Sequence, residues 1–117
     1  MSQLNSVFRR QQENVTGNKT LDAGDNGVVQ NVTATATVTL PATTAGYQYV
    51  IRVGADNITV NVSPAAADQL IGNGFTAADN KDAICTNGRI GDEIHLVGDG
   101  ANGYVFSRVQ GTWTREA

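Results

Sequence analysis

The chain has one histidine, His95, within Asp92-Glu93-Ile94-His95-Leu96. A hydrolytic triad would need a serine hydroxyl delivered to that ring and an acid behind it. Ser63 and Ser107 are the candidate serines, and neither lies in a Gly-x-Ser-x-Gly elbow. His95 alternates out of phase with Ile94 and Leu96, so it is predicted to point away from their face, toward the surface or a subunit interface. Carboxylates are scattered at Asp22, Asp25, Asp79, Asp82, Asp92, Glu93 and Asp99. Glycoside hydrolysis requires two of them at a set separation, which no spacing here establishes. Calcium would suit loop oxygens, but Gly98-Asp99-Gly100-Ala101-Asn102-Gly103 lacks the carboxylate density of an EF-hand loop. Turn formation is the reading for these Asp and Asn residues. The same glycine-rich loop leads into a strand at Tyr104 rather than a helix, and no Walker lysine follows, so it does not cradle phosphate. Tyr104, Phe106 and Arg108 alternate as a stacking strand for single-stranded nucleic acid would, but the net charge of -3 opposes a phosphate backbone. No catalytic residue, metal ligand or cofactor is predicted, and the chain is read as non-enzymatic.

The single cysteine, Cys85, excludes an intrachain disulfide framework. In Ala83-Ile84-Cys85 it reads as a buried small hydrophobe. Asn-x-Thr triplets begin at Asn14, Asn18, Asn31 and Asn57, but no secretion signal makes them glycosylation sites. No apolar run reaches transmembrane length, so synthesis in a reducing cytoplasm and no membrane partner are expected. Charge is uneven: Arg9, Arg10 and Lys19 face one acid, Glu13, in the first twenty residues, leaving an acidic body behind a basic arm.

The elements that must hold these residues are strands. At 117 residues the chain can build one independent core. Thr, Val, Gly and Asn abound while good helix formers are scarce, and the 13 glycines supply turns. Residues 1–18 are polar, with Leu4, Val7 and Phe8 at helical spacing, and are read as an extended or partly helical arm ordered on contact. Residues 19–117 form the domain. Thr33 to Leu40 alternate strictly, Thr against Ala, Val or Leu, which predicts a half-buried strand with a Thr face toward water or a partner. Tyr47, Tyr49, Ile51 and Val53 share a face. Gly54-Ala55-Asp56-Asn57 and the alternating Ile58–Val62 run predict a hairpin. A short strand in 68–72, a loop over 73–82, a turn at Asn87-Gly88 and a strand from Tyr104 to Val109 follow, with Trp113 pinning the last strand. About eight short strands imply an all-β fold, an antiparallel β-sandwich of jelly-roll type with an N-terminal arm.

The order of segments carries a resemblance. Thr20-Leu21-Asp22-Ala23-Gly24-Asp25-Asn26-Gly27 precedes the Thr-alternating strand that ends Val38-Thr39-Leu40-Pro41. Ala45-Gly46-Tyr47, Ile58–Val62 and Asp68–Gly72 come next. Gly91-Asp92-Glu93-Ile94-His95-Leu96-Val97, Gly103-Tyr104 and Gly111-Thr112-Trp113 close the pattern. Over about residues 20–114 this resembles the small β-rich modules of tailed-bacteriophage virion proteins, both capsid decoration (head cement) proteins and tail-fibre segments. The resemblance implies a module that trimerises on a capsid, with the major capsid protein as partner and no nucleic acid. Its arm residues Leu4, Val7, Phe8, Arg9 and Arg10 would carry the capsid or subunit contact, and the Thr face would pack between subunits. A chain holding little beyond one module favours decoration, in a virion assembled in a bacterial cytoplasm. The alternative is a tail-fibre or glycan-binding module with Tyr104 and Asp99 in a shallow sugar site.

Overall fold

A computed structural model of the chain describes residues 11–117, in which the alternating segments sort into two facing sheets. The strands are β1 (Gln12–Val15), β2 (Lys19–Thr20), β3 (Val29–Val32), β4 (Ala36–Thr39), β5 (Gln48–Val53) and β6 (Ile58–Ser63). They continue as β7 (Gln69–Ile71), β8 (Ala83–Gly88), β9 (Glu93–Gly98), β10 (Gly103–Gln110) and β11 (Thr114–Arg115). Sheet A has the order β1-β3-β5-β9-β10-β7 and sheet B the order β11-β8-β6-β4-β2. One 3-10 turn, Ala23–Asp25, is held by a capping box between Asp22 and Asp25. The fold is an all-β sandwich, as the composition implies.

Its first half is built from parallel rungs. The chain passes from sheet A to sheet B three times, as β1 to β2, β3 to β4 and β5 to β6, and each pass stacks in register on the last. Val15, Val32 and Val53 form one inward row, while Val38 and Val62 pair in the facing sheet. Antiparallel pairing enters only with the second half, with β9 between β5 and β10, and β8 between β6 and β11, while β7 joins β10 in parallel. The sheets are thus mixed, and parallel rungs stand where a jelly roll would have antiparallel pairing.

The expected 47–62 hairpin is not formed, although both of its strands exist. β5 pairs with β3 and β9, whereas β6 pairs with β4 and β8. Gly54 donates its N–H to Val32 O at 2.7 Å, extending the parallel ladder past the end of β5. A Cβ there would lie 2.6 Å from the Asn31 side chain, so glycine permits the close approach. Asn57 then adopts φ 63°, and the chain crosses to the other sheet. The physical reason is burial. Crossing sets Tyr49, Ile51 and Val53 opposite Val60 and Val62, and all five are closed from solvent.

Other expectations shift in detail. The sandwich begins at β1, so residues 12–18 belong to it rather than to an arm, and Val15 is buried. The Thr33–Leu40 run yields a shorter strand, Ala36–Thr39, because 33–35 turn the corner between sheets. Its faces are as read, with Ala36, Val38 and Leu40 buried. Asn87-Gly88 is not a hairpin turn. It continues β8, with Asn87 at φ 49° beside a register shift against β6. β7 lies in 68–72 as expected and pairs parallel with β10. At that junction Gly103 has φ 150°, and a Cβ would overlap the Gln69 backbone. Tyr49 and Tyr104 meet edge-to-face at 5.7 Å in the core, and burial of each ring contributes roughly 1.5–3 kcal/mol.

Candidate functional site

Strand alternation gives each sheet an outer face, and the two faces differ in chemistry. On sheet B the register aligns Thr20 with Thr39 and Ser63, and Thr37 with Asn61, Ile84 and Thr114. Local bonds hold the surrounding hydroxyls in place. Thr35 Oγ1 accepts from the Thr59 N–H at 3.1 Å, and Thr37 N–H donates to Asn18 Oδ1 at 2.9 Å. Thr114 Oγ1 donates to Ile84 O at 3.4 Å. The result is a ladder of hydroxyl and amide groups interrupted by Ile84, with the Asp82 carboxyl beside Ser63 and Asn61.

The outer face of sheet A carries the titratable cluster. Glu93 aligns with Arg52 on one side and Gln110 on the other, while His95 aligns with Val50 and Arg108. Glu93 Oε1 accepts from Arg52 Nε at 2.9 Å, and its Oε2 lies 2.8 Å from His95 Nε2. Arg52 Nη1 also donates to Gln12 Oε1 at 3.0 Å. Burial pushes the Glu93 carboxyl up, but hydrogen bonds and charge from His95 and Arg52 outweigh it and hold the group below the ordinary glutamate value. His95 points outward, as its phase predicts. Sequence reasoning passed over Arg52 and Glu93 as a pair. Both are out of phase with their apolar neighbours, but only the β5–β9 register places them side by side.

This cluster is a structural ion pair with an oriented imidazole, not a nucleophilic triad. Ser107 Oγ donates to the His95 backbone oxygen at 3.2 Å, and Ser63 lies in the opposite sheet. Asp22 and Asp99 are turn residues, as expected, whereas the Asp82 carboxyl lies beside Ser63 and Asn61 outside any turn. Asp99 accepts from the N–H groups of Gly103, Ala101 and Asn102, which hold its carboxyl down to about 2. Asp22 caps the 3-10 turn. Among the described residues no three His, Cys, Asp or Glu side chains are placed to hold a metal, no pocket forms, and no helix is long and apolar enough to cross a membrane.

Two residue groupings change. Tyr104 is fully buried, its hydroxyl donating to Pro41 O at 2.7 Å, so it cannot pair with Asp99 in a surface sugar site. Burial also raises its phenol well above the ordinary range. Nor do Tyr104, Phe106 and Arg108 share a face. A bulge at Ser107, between Phe106 and Arg108, leaves Phe106 against the core and turns Arg108 outward beside His95. Cys85 is buried as read, and burial, reinforced by Asp92, raises its thiol to about 11. Trp113 is buried, with Nε1 donating to Gln110 O at 2.9 Å.

Lys19 is no free cation of a basic arm. Its Nζ lies 2.6 Å from Glu13, 2.9 Å from Gln30 Oε1 and 3.6 Å from Asp25. Burial works to lower its value, but Glu13 and Asp25 outweigh that and raise it. The other expected contact residues, Leu4, Val7, Phe8, Arg9 and Arg10, lie outside the described residues. Comparison with family models, with curated proteins and with solved structures returned no match.

Proposed function

We propose that the chain is a non-enzymatic structural component of a tailed-phage virion that decorates and stabilises the capsid. The observation that carries this reading is the row of Thr, Ser and Asn side chains that the register aligns on the outer face of sheet B, over a buried double-sheet core. An array of Thr, Ser and Asn side chains offers hydroxyl and amide hydrogen-bonding groups to a partner protein surface. Leu4, Val7, Phe8, Arg9 and Arg10 carry the contact with the major capsid protein or a neighbouring subunit. Many weak contacts repeated over a shell act together through effective concentration, so no single interface needs high affinity. A closed trimer would also cover the sheet edges at β1, β2, β7 and β11. The reading involves no nucleic acid, membrane or cofactor. Its test is the copy number of the protein per purified virion, by quantitative mass spectrometry against the major capsid protein. A ratio near one, or a simple fraction such as one third, fits decoration. A handful of copies, or none, overturns it.

One feature favours a second reading. Among the described residues the three parallel rungs end at edge strands β1 and β2, the geometry by which a stacked shaft grows. A tail-fibre or glycan-binding module would use that stacking, and glycan-array binding together with a few copies per particle would select it.

A further inference from the structure

Asparagine is followed by glycine at four places, Asn26-Gly27, Asn73-Gly74, Asn87-Gly88 and Asn102-Gly103. Glycine has no Cβ to keep its backbone nitrogen away from the preceding carboxamide, so each pair could close a ring. The fold holds three of them shut. Gly27 N–H donates to Gln48 O at 2.8 Å, and Asn26 Oδ1 accepts from Gln48 N–H at 2.8 Å. Gly103 N–H donates to Asp99 Oδ1 at 3.0 Å, with the glycine packed on the Gln69 backbone. Asn87-Gly88 lies within β8, where Gly88 is buried against Val53 and Cys85. Asn73-Gly74 differs. The pair forms the centre of an exposed turn, closed by Phe75 N–H donating to Gly72 O at 2.9 Å, with φ of 51° and 73°. Among the described residues the Gly74 N–H meets no acceptor, and a Cβ on Gly74 would have nothing within 4 Å. The Asn73 carboxamide is tethered through Nδ2, which donates to Trp113 O at 3.2 Å.

We propose that Asn73 is a self-modification site, at which the folded chain converts asparagine to aspartate and isoaspartate. The Gly74 nitrogen gives up its proton and bonds to Asn73 Cγ, while the Cγ–Nδ2 bond breaks and ammonia leaves with that proton. The succinimide so formed takes up one water. Opening at Cγ leaves aspartate, and opening at the main-chain carbonyl leaves isoaspartate, with an extra methylene in the backbone. No oxidant or cofactor enters. A positive φ on Asn73 is a sparsely populated state, and an exposed turn of this kind opens locally without unfolding the core, which frees the nitrogen to attack. The consequence reaches the end of the chain. The product loses the amide donor to Trp113 O and sets a carboxylate against that carbonyl. Trp113 leads directly into β11, whose pairing with β8 is two residues long. Conversion therefore loosens the β11 edge of sheet B, including Thr114 in its outer row. The proposal does not rest on the virion reading.

The test is a time course of the purified full chain in mildly alkaline buffer at physiological temperature, read by tryptic peptide mass spectrometry. Cleavage after Lys and Arg puts the four pairs in separate peptides, 20–52, 53–81, 82–89 and 90–108, so each reports its own conversion. In the folded chain Asn73 should convert several-fold faster than the other three, with isoaspartate among its products. In concentrated urea the four rates should draw together, because the dipeptide is the same and the fold no longer separates them. Conversion at Asn73 no faster than at the other three in the folded chain would overturn the proposal. So would a lead for Asn73 that persists unchanged in urea, since the fold would then not be its cause. Asn73→Asp reads the consequence without waiting for the reaction. Backbone hydrogen exchange at 113–115 should quicken several-fold while β4, β5 and β6 keep their protection. Unaltered exchange at 113–115 would refute the link to β11.

Discussion

Substituting Glu93→Gln tests whether the outer-face cluster stabilises the sandwich. The variant keeps the shape and one acceptor oxygen but removes the charge that Arg52 and His95 share. Two charge-assisted hydrogen bonds set a ceiling of about 1.5–3 kcal/mol each. Solvent lowers it: the side chains of Arg52 and His95 are 34% and 19% exposed, although Glu93 itself is at 9%. The Arg52 bond then falls toward surface-pair strength, and the substitution should cost about 1–2 kcal/mol at neutral pH. In Tm this is a loss of about 5–10 °C. The sign with pH is fixed by the direction of the shift. The folded carboxyl sits below its unfolded value, so its contribution is complete above the ordinary glutamate value and disappears as pH falls through the folded one. Urea or thermal melts of both proteins should therefore differ at neutral pH and converge as pH falls through the folded carboxyl's lowered value. Shared groups such as Asp99 cancel in that difference. Equal stability at neutral pH, or a gap that persists undiminished in acid, would refute the argument.

Three further outcomes follow from the packing. Gly103→Ala should cost about 2–3 kcal/mol, because φ 150° and the Gln69 backbone both exclude a Cβ. Faster hydrogen exchange confined to 69–71 and 103–105 would locate the damage at the β7–β10 junction, and unaltered melting would contradict it. Tyr104→Phe removes the hydroxyl that donates to Pro41 O and should cost about 1 kcal/mol in urea titration, with the core ring contact to Tyr49 retained. Thr37→Lys with Thr39→Lys should leave Tm within about 2 °C, since these positions lie on an outer face. It should also reduce incorporation into particles several-fold by placing charge on the proposed contact face. Full incorporation would remove sheet B from the interface.

Much of the local structure was legible because period-two alternation is a property of single strands. It marked Val38 and Leu40 as buried with Thr37 and Thr39 outward, set Tyr49, Ile51 and Val53 on the core side, and turned His95 away from Ile94 and Leu96. Asp99 was recognisable as a turn residue from its glycine-rich surroundings, since its partners lie within four residues. The partner of each strand was not legible. Alternation looks the same in parallel and antiparallel ladders, so Tyr47–Val62 read as a hairpin. Only the confrontation of its two apolar faces across the core sends β5 and β6 to different sheets. The Arg52–Glu93–His95 cluster depends in turn on that pairing, because Arg52 lies 41 residues before Glu93 and is brought to it by the β5–β9 register. The Ser107 bulge is a similar case: one extra residue reverses every later side chain of β10 and separates Arg108 from Tyr104. Sequence alone determined which residues face inward and that the chain is all-β. Tertiary structure decided which strands meet and in what direction, because burying two apolar faces against each other is a property of the whole core.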